Sequence, residues 1–465
     1  MKANNLSVSQ IGEAYKKNEL KPSELVKAYQ DSYLQQKNLN CYIEFYDEAY
    51  ETALNLEKAG PSGHHLWAVP AAVKDNFSVQ GKDLTCASKI LEGYVSPSDA
   101  VVVSRLKEQN FINLGRLNMD EMAMGATGRY SVYGPTLNFL DNKRFAGGSS
   151  SGSAVAVAAG MAAFALASDT GGSARLPASY NGLTGFKPSY GVIPRSGMAD
   201  LAPSLDVVGL IAHTPLDIKL VLEAVAGRSN FDETSINLNA AKQLSFKGLK
   251  VARFNNLLKP VHPEVKKAFS LAEEYLKSEG VIFVDIDLGL EDEIINIYYI
   301  LCCGEAATTL SRFDGARYGL KLKAASAGEL FAATRSKGFG DEVKRRILLG
   351  NYFLHEQNYA DWYNKANVMR SHLCNKINEL KQSGVELFLL PGFSEAPLIG
   401  TADEATTYSS DSTAVMSNLT GTPAVAVPMM LGQNGLPVSV QLGGLRGSDQ
   451  LVLDAGQKLY HIKNY

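Results

Sequence analysis

Cysteine is scarce: five residues in 465, at positions 41, 86, 302, 303 and 374, are too few and too irregularly spaced for a disulfide framework or a zinc site. Reduced thiols in a reducing compartment are the expectation. Histidine is nearly as sparse, with seven residues, so little imidazole chemistry is on offer. An excess of charge of one sign is lacking too. Lys plus Arg (45) against Asp plus Glu (48) gives −3, whereas a nucleic-acid surface or a basic membrane-binding face would tilt the balance the other way. Any RNA contact is therefore local or belongs to a partner. No run of 18 consecutive apolar residues occurs, and the first twenty residues, MKANNLSVSQIGEAYKKNEL, contain no apolar stretch of a secretory signal. The expected location is the cytosol, with the mitochondrial matrix left open, and no membrane contact is foreseen. No internal repeat is present that would indicate a solenoid or propeller.

What is present fits a soluble globular chain: 45% hydrophobic and 20% charged residues, enough to build a large core. Length alone is compatible with one large or two to three ordinary domains. Residues 1–60 read as a helical leader, with Ser7 placed to cap one helix and Pro22-Ser23-Glu24 to open another. From 66 to 225 the composition shifts to Gly, Ser, Ala and Val. Short apolar runs (LWAVPAAV, FINLG, AFALASD) alternate there with helical stretches such as Ala100 to Leu106, a pattern of α/β layers. A polar excursion covers 227–245. Beyond it, over 246–465, LKVARF and VIFVDI read as strands around a helix with Val265, Phe269, Ala272 and Leu276 on one face, a βαβ unit. Helices are expected over 291–380, then strands at VELFLLP, TPAVAVPM and PVSVQL and a last helix from Ser448.

The chemistry concentrates in two Gly/Ser clusters, Phe145–Ala154 (FAGGSSSGSA) and Ser168–Arg175 (SDTGGSAR), flanking an Ala/Val-rich segment. A flexible linker is the plain alternative, but a linker does not carry a buried helix in its middle. Glycines at Gly171 and Gly172 let the backbone from Thr170 to Ser173 turn successive N–H groups inward, a nest suited to an oxyanion. Three nucleophile schemes compete. Gly148–Gly152 formally matches a G-x-S-x-G elbow with Ser150 as nucleophile, yet no apolar strand precedes it. A cysteine nucleophile at Cys302 or Cys303 would sit in the apolar run YYILCC, which reads as core. The third scheme rests on Lys74, which ends the apolar run AVPAAVK where its charge is partly desolvated; the competing reading is a lysine that snorkels from a strand end.

AVKDN, LNMDEMAMG, FAGGSSSGSA, SDTGGSARLPA and GFKPSYG, in this order, resemble the signature block of the amidase-signature family of serine hydrolases. GEAATTLSRFDGARYG, FGDEVKRRILLGNY and NLTGTPAVAVP further resemble segments of that family's tRNA-dependent amidotransferase members. The resemblance implies a single large α/β/α domain, a twisted mixed β-sheet covered by helices. It also implies a Ser–cis-Ser–Lys triad with Ser173 as nucleophile, Ser149 as bridge and Lys74 as base, and an oxyanion hole at Thr170, Gly171, Gly172 and Ser173. A zwitterionic substrate, glutamine, would be held by Tyr298, Arg346 and Asp411, with Tyr299 and Arg345 the neighbouring alternatives. No metal and no cofactor is implied in this chain. ATP and Mg²⁺ would lie in a B-type partner subunit that also holds the tRNA, together with a small C-type subunit. A stand-alone amidase for small acyl or aryl amides and an inactive scaffold remain as alternatives. FAGG in place of a proline-containing lead-in, Ser151 in place of a glycine, and ATGRYSVYGPT depart from the family pattern without removing a triad residue. For Lys74 to accept a proton near pH 7, its pKa of about 10.4 must fall to about 7, worth about 4.6 kcal/mol. Full burial shifts a lysine by about 3 to 5 pH units and is of the size required.

Overall fold

The computed structural model describes residues 3–241, 243–259, 261–400 and 412–462. Eleven strands run in chain order: β1 Tyr42–Phe45, β2 Pro70–Lys74, β3 Ile112–Leu117, β4 Phe164–Asp169, β5 Thr184–Lys187, β6 Val207–Ala212, β7 Lys250–Arg253, β8 Ile282–Asp285, β9 Val385–Pro391, β10 Ala424–Leu431 and β11 Pro437–Gly444. All belong to one sheet in the order β1-β3-β2-β4-β6-β5-β10-β11-β9-β7-β8. The sheet is mixed: β2 lies parallel to β3 and β4, β4 antiparallel to β6, and β7 parallel to both β8 and β9. β4, β6 and β11 are buried at every position, which requires cover on both faces and explains why they read as continuous apolar runs. This is the α/β architecture expected from the sequence.

The βαβ unit forms as read. The helix Pro263–Ser278, which connects parallel β7 and β8, starts on its proline, buries Val265, Phe269, Ala272 and Leu276, and packs against β9, β10 and β11. In the leader, Ser7 caps Val8–Lys16 through a reciprocal capping box with Gln10, and Pro22 occupies the first turn of Pro22–Gln35. One expectation for 1–60 needs correction. Tyr42–Phe45 is an edge strand antiparallel to β3, and four residues are too few to display a period in sequence. The Ala/Val segment between the Gly/Ser clusters also splits, into helix Ser151–Ala158 and strand β4. Pro428, which has no N–H for the ladder, falls where the β10–β11 register slips.

Among the described residues, one helical stretch, Ile294–Arg312, is long and apolar enough to cross a membrane by length and composition. It is 61% buried inside the molecule and packs as an interior helix against Asp341–Leu354.

Candidate active site

Lys74 is the last residue of β2, with its side chain completely buried. Its Nζ lies 2.9 Å from Ser149 Oγ, 2.8 Å from Ser150 Oγ and 2.9 Å from Ser168 Oγ. Burial pushes its pKa down to about 7 against the opposing pull of Asp120, Asp169, Cys86 and Asp206. The snorkelling alternative is thereby excluded. An ammonium gives all three protons to these hydroxyls, whereas a neutral amine gives two and accepts one hydrogen bond in return. Ser150 Oγ has its own acceptor, the Ser168 carbonyl at 3.2 Å. Ser168 Oγ also accepts from Asn76 Nδ2 at 3.0 Å. Ser149 carries no second side-chain hydrogen bond among the described residues, so its hydroxyl is available to the amine lone pair.

Ser149 follows a cis Gly148–Ser149 peptide bond. Its carbonyl accepts from Asp120 N–H at 3.0 Å, and the N–H of Ser150 donates to the Ser173 carbonyl at 3.2 Å, which joins the two Gly/Ser clusters directly. Gly148 must be glycine here, because a Cβ would fall 1.9 Å from Asp120 Oδ2. That carboxylate is fully buried and accepts from the N–H groups of Gly128 (3.0 Å) and Tyr130 (2.9 Å). Burial still pushes its pKa up to about 6.

The second cluster turns about Asp169, which accepts from Gly172 N–H at 2.9 Å, Ala174 N–H at 3.2 Å and Arg175 at 3.0 and 3.1 Å. Burial opposes the charge, but the Arg175 guanidinium, together with Lys187 and the Asn418 amide, outweighs it and holds the Asp169 carboxyl well below the usual range. Removing one member of such a buried pair typically costs about 3–5 kcal/mol. Thr170 Oγ1 donates to Asp206 at 2.6 Å. The N–H of Gly172, expected in the oxyanion nest, is thus bound to Asp169, whereas those of Gly171 and Ser173 have no partner among the described residues. The nest is narrower than the sequence implied because the aspartate that orders the turn takes one of its donors.

Ser173, half-buried, lines a cleft with Gly148, Gly171, Tyr298, Tyr299 and Arg346. Tyr298 packs closely on Gly171, where a Cβ would fall 2.5 Å from its hydroxyl oxygen. Arg346 is buried, bonded through Nε to Glu342 at 2.7 Å, with its guanidinium 5.5 Å from the Tyr299 ring centre. Arg345 pairs with the same glutamate on the exposed side and does not line the cleft. Asp411 lies outside the described residues. Cys302 and Cys303 are buried in helix Ile294–Thr309, where burial pushes both thiols up, the opposite of an activated nucleophile. Residues 140–146 form no strand ahead of Ser150, so the elbow context is missing as well. No group of three or more His, Cys, Asp or Glu side chains able to hold a metal occurs among the described residues.

Sequence reasoning does not assign Ser168 to the lysine shell, nor Asp120 to the back of the Ser149 turn. Ser168 stands directly ahead of DTGGS and Asp120 inside LNMDEMAMG; both belong to motifs, but their contacts arise only when β2, β4 and the loop after β3 come together.

A family model described as amidase matches residues 24–453. The chain is 40% identical to the A subunit of glutamyl-tRNA(Gln) amidotransferase from Campylobacter hominis, over 94% of this chain and 96% of that one. It is 40% identical to the protein of the same name from Akkermansia muciniphila, over 97% and 98%. Among solved structures, the A subunit of glutamyl-tRNA(Gln) amidotransferase from Thermotoga maritima aligns with a TM-score of 0.79 at 31% identity, over 99% of this chain and 94% of that one.

Proposed function

Because the chain belongs to the amidase family, we propose that it is the glutamine-hydrolysing component of a tRNA-dependent amidotransferase, supplying ammonia for amidation of glutamate, or aspartate, carried on tRNA. The relatives' shared name supports the assembly. The observation that carries the chemistry is a wholly buried lysine amine 2.9 Å from Ser149 Oγ.

In this reading Ser173 Oγ attacks the side-chain amide carbon of glutamine. Its proton passes to Ser149, whose own proton passes to neutral Lys74. The oxyanion of the tetrahedral intermediate is held by the N–H groups of Gly171 and Ser173. The C–N bond then breaks as the lysine proton returns through Ser149 to the departing nitrogen, which leaves as ammonia. Water attacks the glutamyl-Ser173 ester along the same proton path, releasing glutamate and restoring the serine. Arg346 pairs with the substrate α-carboxylate and Asp411 with its α-ammonium, while Tyr298 packs on the oxyanion turn and closes the cleft wall. ATP, Mg²⁺ and most tRNA contacts are assigned to the B-type subunit, with a small C-type subunit beside it. The cytosol is the assigned compartment.

The test is Ser173→Ala, assayed for glutaminase with and without the partner subunits, with hydroxylamine trapping of the glutamyl ester. Activity is expected to fall by about 10⁵-fold with no hydroxamate formed; retention of glutaminase by this variant would overturn the assignment. A stand-alone amidase predicts no gain on adding a B-type subunit, and a scaffold predicts no hydroxamate from the unsubstituted chain.

A further inference from the structure

The LNMDEMAMG segment carries two adjacent buried carboxylates that turn to opposite tasks. Asp120 supports the Gly148–Ser149 turn from behind. Glu121 turns away, and its two carboxylate oxygens accept the N–H of Gly340 at 2.9 and 3.1 Å, with Ser88 Oγ 2.5 Å from one of them. Gly340 is the residue ahead of helix Asp341–Leu354, which carries Arg346 to the cleft. At about 1.5 Å per residue, Arg346 lies roughly 9 Å along that helix, too short a span to absorb displacement by bending. The approach is close: a Cβ on Gly340 would sit 2.3 Å from Glu121 Oε2. Gly340 has φ −72°, a conformation open to any residue, so glycine is needed there for space and not for backbone freedom. Two consecutive residues therefore link the serine turn to the start of the helix that carries the guanidinium.

We propose that Glu121 is a positioning residue for substrate recognition: by anchoring the start of helix Asp341–Leu354 to the loop that supports Ser149, it holds Arg346 at the height of the substrate α-carboxylate. The inference rests on the glutamine reading of the cleft. Glu121 touches neither substrate nor the reacting atoms, so its loss acts on KM for glutamine and leaves kcat at saturation nearly unchanged.

The experiment is a double-mutant cycle in the complex with its partner subunits, using Glu121→Ala and Arg346→Ala and reading KM and kcat for glutamine, with a thermal melt of each variant. Loss of a charge-assisted contact predicts that Arg346→Ala raises KM about 100-fold. Glu121→Ala is expected to raise it about 10-fold, with the double variant no worse than Arg346→Ala alone, the non-additivity of residues acting through one contact. Glu121→Gln, which keeps an acceptor for the Gly340 N–H, should recover most of the loss. If Glu121→Ala does not fold, Gly340→Ala displaces the same carboxylate with its charge intact and should give the same KM effect. Multiplicative losses, or a fall in kcat equal to the rise in KM, would overturn the inference while sparing the glutamine reading. An Arg346→Ala variant with unchanged KM would overturn that reading itself.

Discussion

At Lys74 the fold places an amine where its charge is disfavoured, and the chemistry follows from that placement. Burial outweighs the attraction of Asp120, Asp169, Cys86 and Asp206 and brings the amine to about 7, so it is neutral above that pH and protonated below it. A general base must be neutral to accept a proton. kcat/KM for glutamine is therefore expected to rise about tenfold per pH unit below 7 and to level off above it. A flat profile from pH 5 to 8 would contradict the role. Lys74→Arg, which cannot be neutralised, should abolish the activity at every pH. The proposed roles of Lys74, Ser149 and Ser173 come from motifs whose order resembles a family; the structure adds that Lys74 Nζ lies 2.9 Å from Ser149 Oγ and that Ser150 N–H donates to the Ser173 carbonyl. The shape of the proposed oxyanion turn is legible only in part. TGGS announces a turn, but the Gly172 N–H is taken by Asp169, a carboxylate that composition cannot distinguish from a solvated one.

Elements were legible to the degree that burial left a period. Pro263–Ser278 shows a clear apolar stripe; Tyr42–Phe45 is too short to show one, and its strand state is set by pairing with β3. The helix pair that brings Tyr298 and Arg346 together reads as helical in sequence, but its contact could not be read. Gly350 makes that contact possible. A Cβ there would lie 2.0 Å from the Cys303 carbonyl oxygen, so the helices Ile294–Thr309 and Asp341–Leu354 approach closely at this point. Gly350→Ala should force them apart, costing about 1–3 kcal/mol of stability. Because Arg346 stands one turn before Gly350, KM for glutamine should rise with it. Thermal denaturation and steady-state kinetics on the same preparation check both, and an unchanged KM with a lowered melting temperature would show that the helix shift does not reach the cleft.

For the molecule as a whole, six strands from the first half of the chain lie side by side, β1-β3-β2-β4-β6-β5, and five from the second half continue the sheet from β10 onward. Within the sheet the halves join through the β5–β10 pairing, at Gly185–Lys187 against Ala424–Ala426; outside it, Phe145 N–H donates to the Pro397 carbonyl, Ile399 N–H to that of Lys143 and Tyr190 N–H to that of Gly421. Arg175 reinforces the strand pairing from the first half by donating to Ala414 O, Asn418 Oδ1 and Gln441 Oε1 in the second. The serines and Lys74 belong to one half and Arg346 and Tyr298 to the other, so neither half alone contains a complete site. The described residues of the polar excursion at 227–245 connect the halves, mostly exposed past residue 237 and tied down at Asn239 by Gly447 and Gln450. It links the halves covalently where hydrogen bonds already hold them. A nick introduced by an engineered protease site within 238–245 should therefore leave one co-eluting particle with its glutaminase intact, and the cleaved pieces should part only when the sheet itself is denatured.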